Sequence, residues 1–157
     1  MGIIFYMEGL REKLEQEIGN ADSFERACAR AVSLLHREVP HFDWVGIYLK
    51  QGEELVLGAW DGPEATEHVR IPVGQGICGL AARTGETVVV DDVNADSRYL
   101  ACFPQTRSEI VVPIYGKAGV IGEIDIDSDT PAAFSAVDRA LLEHVAAILG
   151  RMHEGKG

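Results

Sequence analysis

The sequence predicts an α+β domain, a mostly antiparallel sheet with helices packed at one face. Three observations carry this prediction. Segments with helical spacing lie at the two ends of the chain, and strand-like runs lie between them. Two pairs of those runs are joined by short Gly-containing turns, as hairpins are. The chain has 157 residues, 46% hydrophobic and 25% charged, enough to bury a core without disulfide or metal staples. One domain over 1–157 is expected. Helices are expected over 1–39, the sheet and its loops over 42–130, and a last helix over 135–152.

The elements follow in order. Glu8 to Ile18 has helical character, and Gly19-Asn20 stops it. Asp22 or Ser23 can cap a second helix. Its buried stripe is Phe24, Ala27, Cys28, Ala31, Leu35 and Val39, and Pro40 ends it. Cys28 on that stripe is expected to be an inert core thiol. Trp44 to Leu49 and Glu54 to Trp60 form a hairpin around Gln51-Gly52. Asp61 to Glu67 is a loop, and HVRIPV is a short strand. GQGICGLAARTGE places glycines before a short helix, Ile77 to Arg83, ended by Gly85. Thr87 to Val90 is a strand. Asp91 to Ser108 is a long irregular segment, which in a compact domain is often functional. Ile110 to Tyr115 and Val120 to Ile126 form a second hairpin around Gly116 to Gly119. Ser135 with Asp138 resembles a capping box opening a last helix to about Met152. The first and last helices can pair, within the chain or between subunits.

Fourteen basic residues against 25 acidic ones leave a formal charge of −11. No basic stripe is present, so nucleic acid is not an expected partner. The acidity also disfavours an anionic membrane surface. No apolar run approaches the ~18 residues that span a bilayer. The first residues lack a basic flank and a small-residue cleavage site, and Tyr6 stands where a myristoylation pattern has Ser or Thr. A cytoplasmic location is expected. The three cysteines, Cys28, Cys78 and Cys102, form no CxxC pattern. That fits a reducing compartment and predicts neither a disulfide scaffold nor a structural zinc site.

Several stretches can carry chemistry. In EIDIDSD, strand alternation puts Ile121, Glu123, Asp125 and Asp127 on one face and Gly122, Ile124 and Ile126 on the other. On a solvated face such acids mean nothing. Around a pocket, burial and repulsion raise one pKa toward that of a general acid, and Glu109 on the partner strand can join them. DIDSD is not a calcium loop, because Thr130 and Ala136 stand where Gly and Glu are required. GQGICG lacks the phosphate-loop ending. Its N–H groups at a helix start can bind an anion such as a carboxylate, and the same position can lower the pKa of Cys78. Cys102 lies in the irregular segment rather than on an apolar stripe, as a small hydrophobe or as a nucleophile. Cys78 and Cys102 could run a thiol–disulfide cycle.

WVGIY, RIPVGQGICG, a long loop ending LAC, SEIVVP, IGEIDIDSD and a closing F-S-x-x-D helix resemble a GAF domain. More narrowly they resemble the free methionine-(R)-sulfoxide reductase family, from about Phe42 to Leu149. The resemblance implies a six-stranded antiparallel sheet with helices on one face and a ligand pocket on the other. It implies reduction of free L-methionine-(R)-sulfoxide with no cofactor beyond an external thioredoxin-type reductant. Cys102 matches the catalytic cysteine and Cys78 a resolving cysteine, so a Cys78–Cys102 disulfide is implied. Glu109, Asp125 and Asp127 match pocket carboxylates; on chemical grounds we assign Glu109 or Asp127 as the acid and Asp125 as the holder of the substrate ammonium. Trp44 and Tyr48 match aromatic pocket positions, and the N–H groups of Gly76, Ile77 and Gly79 would hold the substrate carboxylate. His68 stands where the family commonly has a third cysteine, and DSRYLAC and FPQTR depart from its usual loop. A homodimer through the terminal helices is expected. Two other readings keep the fold: a small-molecule-binding sensor module, or a redox switch that needs the thiols and not the acids.

Overall fold

The computed structural model of the chain describes residues 2–100 and 103–156. Six strands form one sheet in the order β3-β2-β1-β6-β5-β4. They are β1 (Trp44–Gln51), β2 (Glu54–Asp61), β3 (Arg70–Pro72), β4 (Val88–Val90), β5 (Ser108–Gly116) and β6 (Gly119–Ser128). Every neighbouring pair is antiparallel. Helices α1 (Gly2–Gly19), α2 (Phe24–Glu38) and α4 (Ala136–Lys156) pack on one face. Helix α3 (Gly76–Thr84) packs on the other.

The strands bury both faces because their side chains alternate between two cores. Val45 and Ile47 of β1, Ile110, Val112 and Ile114 of β5, and Ile124 and Ile126 of β6 meet α1, α2 and α4. Trp44, Tyr48 and Val111 meet Ile77, Cys78, Ala81 and Ala82 of α3, with Val90, Val93 and Phe103. Residue by residue, β6 is therefore hydrophobic toward one layer and acidic toward the other.

Local signals set the element ends. Ser23 Oγ accepts the Arg26 N–H at the start of α2. Ser135 Oγ accepts the Asp138 N–H while Asp138 accepts the Ser135 N–H at 2.9 Å, a reciprocal cap before α4. Cys28 is buried in the helical layer, and its thiol is pushed up to about 12, chiefly by burial and secondarily by Glu25. It is inert at neutral pH.

The structure moves some expected boundaries. Helix α1 starts at Gly2 rather than Glu8. Its buried stripe of Leu10, Leu14 and Ile18 sets the C-terminal half, while Phe5 and Tyr6 are exposed and gave no periodic signal. Helix α4 continues past Met152 to Lys156. The third strand is only Arg70–Pro72, an edge position where a proline costs no ladder bond. Ile121 packs with the helical layer, not beside Glu123. The β5–β6 register shifts between Ile114 and Tyr115, which pair with Gly122 and Val120. The extra residue in β6 is Ile121, and a bulge of this kind turns its side chain over.

Candidate active site

On the α3 side of the sheet the central strands line up three rows. Asp127 stands between Trp44 and Glu109, Asp125 between Gly46 and Val111, and Glu123 between Tyr48 and Pro113. The four acids are 0–4% exposed. Helix α3 delivers Cys78 to the same place: its Sγ, a Glu109 oxygen and an Asp125 oxygen lie within 4.8 Å of one another. The solvated-face reading of the acids is thereby excluded.

Backbone geometry fixes how close α3 comes. Gly76 has φ +66° and lies against Leu100, where a Cβ would stand 2.8 Å from that side chain. At Gly79 a Cβ would stand 2.8 Å from the Gly74 backbone nitrogen, so only glycine lets the helix fold back on its entry turn. The N–H of Gly79 makes an intrahelical bond to Gln75 O at 2.9 Å. It is not a donor for a ligand, which corrects its expected binding role. Gly76 and Ile77 head the helix, before that bond.

The aromatic positions are held firmly. Trp44 is buried, donates Nε1–H to Glu64 O at 3.2 Å, stacks on Trp60 and tilts against Phe103 at 5.9 Å between centroids. A Cβ at Gly46 would stand 2.3 Å from the Trp44 ring, so the indole lies over the row that holds Asp125. Tyr48 is fully buried and its hydroxyl donates to His68 O at 2.7 Å. Cys102 lies outside the described residues. Its neighbours on both sides pack onto this core, Leu100 against Gly76 and Phe103 against Trp44. Upstream, the Arg98 guanidinium grips Asp96, which pulls that carboxyl down to about 2.

Electrostatics in the cluster run one way. Burial, then Asp125, Glu123 and Glu109, push the Cys78 thiol well above its ordinary value. This corrects the expected lowering at a helix start: the end of a nine-residue helix is outweighed by full desolvation and neighbouring carboxylates. Burial, then Asp125, raises Glu123 well above the glutamate value. Burial raises Asp125, and interaction with Glu109 offsets part of the rise. Burial, then Asp125, raises Asp127 well above its ordinary value. Among the described residues, no Lys, Arg or His figures among these influences. Burial therefore favours the protonated forms of Glu123, Asp125 and Asp127.

Glu123 is the residue the motif comparison missed. Strand alternation already placed it on the acid face, and burial makes it part of the site. Beyond their approach to the Cys78 thiol, its two carboxylate oxygens have no hydrogen-bond partner among the described residues. The raised carboxyls give a definite pH dependence. Below the ordinary values, 4.5 for Glu and 3.8 for Asp, both folded and unfolded chains hold the proton and stability is complete. As pH rises the unfolded chain releases its protons first, so stability falls until pH passes the folded pKa values. Urea midpoints are expected to decline from pH 5 to pH 8. Glu123→Met, close in volume and apolar, is expected to add about 1–3 kcal/mol at pH 8 and less at pH 5. An equal effect at both pH values would contradict the buried-acid account.

The chain matches the GAF domain family over residues 23–151. The chain belongs to the GAF domain family. Within that family its homologues include the free methionine-R-sulfoxide reductase of Escherichia coli, 35% identical over 83% of this chain and 78% of that protein. Protein YtsP of Bacillus subtilis is 38% identical over 91% of this chain and 83% of its own length. The solved free methionine-R-sulfoxide reductase of Neisseria meningitidis, in complex with its substrate, superposes with a TM-score of 0.89 at 36% identity, covering 96% of this chain and 89% of that one. The GAF domain described here thus has the expected six-stranded sheet, with Cys78, Glu109, Asp125 and Asp127 gathered on the face opposite the main helices.

Proposed function

We propose that this GAF domain reduces free methionine-(R)-sulfoxide to methionine. The observation that carries the reading is the convergence of the Cys78 sulfur with the carboxyls of Glu109 and Asp125 in a buried cluster. Homology to reductases of that name supports it.

The chemistry balances with the groups present. The Cys102 thiolate attacks the sulfoxide sulfur while Glu109 or Asp127 donates a proton to the oxygen. Burial raises Asp127 well above its ordinary value, which favours the protonated form that a general acid needs. Methionine leaves and Cys102 becomes a sulfenic acid. Cys78 then gives its thiol proton to the carboxylate that the first proton transfer left behind, and its sulfur displaces hydroxide from Cys102, which takes that proton and departs as water. The product is a Cys78–Cys102 disulfide, returned to thiols by a thioredoxin-type reductant. Asp125 holds the substrate ammonium, the N–H groups of Gly76 and Ile77 hold its carboxylate, and Trp44 covers the methylthio end.

The working location is the cytoplasm, where thiols stay reduced. No helix among the described residues is long and apolar enough to cross a membrane. Two copies pair through α1 and α4, whose surface carries exposed Phe5 and Val137 beside an apolar hollow lined by Met7, Ala140 and Leu141.

The test compares turnover of three substrates under a thioredoxin system: the free R epimer, the free S epimer and the R epimer capped by N-acetylation. Only the free R epimer is expected to turn over well. Capping removes the ammonium from a carboxylate-lined site and is expected to lower kcat/KM by at least about 100-fold. No reduction of any of the three would overturn the proposal.

A further inference from the structure

The triad of Cys78, Glu109 and Asp125 has a second property. Its members come from α3, β5 and β6, are all buried, and present a sulfur and two oxygens within 4.8 Å of one another. Glu123 supplies a separate observation. It is 0% exposed, and beyond its approach to the Cys78 thiol neither of its oxygens has a hydrogen-bond partner among the described residues. An amino-acid ammonium brings one positive charge to this cluster and forms no bond to its sulfur. A divalent ion brings two charges and can be bonded by all three triad atoms.

We propose that the reduced protein binds one zinc-class divalent cation through Cys78 Sγ, Glu109 and Asp125, with the fourth position open and Glu123 in the shell around it. A thiolate with two carboxylates suits borderline-soft ions such as zinc or cobalt and not magnesium or calcium. Zinc–sulfur bonds of about 2.3 Å and zinc–oxygen bonds of about 2.0–2.2 Å put tetrahedral ligand atoms roughly 3.3–3.7 Å apart. The triad therefore closes on the ion by side-chain movements on the order of 1 Å. Binding expels the Cys78 proton, so the sulfur enters as thiolate and one proton is released for it. The bound ion occupies the ammonium position and masks the sulfur. Inhibition of turnover is the consequence, and that consequence rests on the reductase reading; the binding does not.

The test titrates cobalt(II) into the reduced, chelator-treated full chain with no substrate, following the thiolate-to-cobalt absorption. The band is expected to saturate at one ion per chain and to vanish when zinc is added. Cys78→Ser is expected to remove it, and Glu123→Gln to weaken cobalt binding about tenfold. In the unmutated protein, zinc is expected to slow iodoacetamide labelling of Cys78, read by mass spectrometry, by about tenfold or more. A wild-type protein with no band, or a Cys78→Ser protein with an unchanged one, overturns the proposal, as does labelling of Cys78 that zinc leaves unaltered. Reductase turnover measured without added metal is scored separately, so either idea can fail alone.

Discussion

The Cys78→Ser protein is expected to form about one methionine per chain from the free R epimer and then stop. The first chemical step uses Cys102 and an acid, and neither is removed by this change. The second step needs a thiol beside Cys102, and serine is no substitute because its oxygen does not form the disulfide that a thioredoxin-type reductant can open. Multiple turnover is expected to fall by at least about 100-fold while the single-turnover yield holds. The substitution is nearly isosteric and sits at a position already polar on one side, so folding should survive it. Rapid-quench quantification of methionine against protein checks this. Undiminished turnover would remove Cys78 as the resolving group, and a lost first turnover would place it in the first step instead.

Glu109→Gln is expected to act on the other half of the cycle. Glu109 pairs with Asp127 across β5 and β6 and reaches Asp125, so it meets both of the other matched acids. The amide keeps the volume and loses the transferable proton. The first turnover is expected to slow by about 10²–10⁴-fold, the range for loss of a general acid. Resolution of a Cys102 sulfenic acid generated with hydrogen peroxide should change far less. If Asp127→Asn slows the first turnover and Glu109→Gln does not, the proton comes from Asp127.

Much of this architecture is legible in the sequence. The period of α2, the Ser135–Asp138 cap and the alternation of β6 are local signals, and local structure obeys them. What local signals cannot give is the cover. EIDIDSD reads the same on a wet face and under a helix. The packing of α3, together with Val93, Leu100 and Phe103 of the loop, over that face makes its acids buried. The same packing reverses the expected shift of Cys78, because a helix-end effect is a near-surface term and burial is not. Glu123 escaped notice because the motif match singled out Asp125 and Asp127, although the alternation that named them named it too. The Ile121 error comes from a one-residue bulge, invisible to any two-residue period. A cation triad drawn from three separate elements has no spacing to find.

The most direct measurement uses the fully reduced protein alone, without a recycling system. It is mixed with the free R epimer in single-turnover amounts, and methionine and remaining thiols are counted together, with peptide mapping of Cys78. The account predicts two thiols lost for each methionine formed, with Cys78 in a disulfide and Cys28 still free. Methionine formed with Cys78 still a thiol would contradict the disulfide step, and no methionine with all thiols intact would contradict the reductase itself.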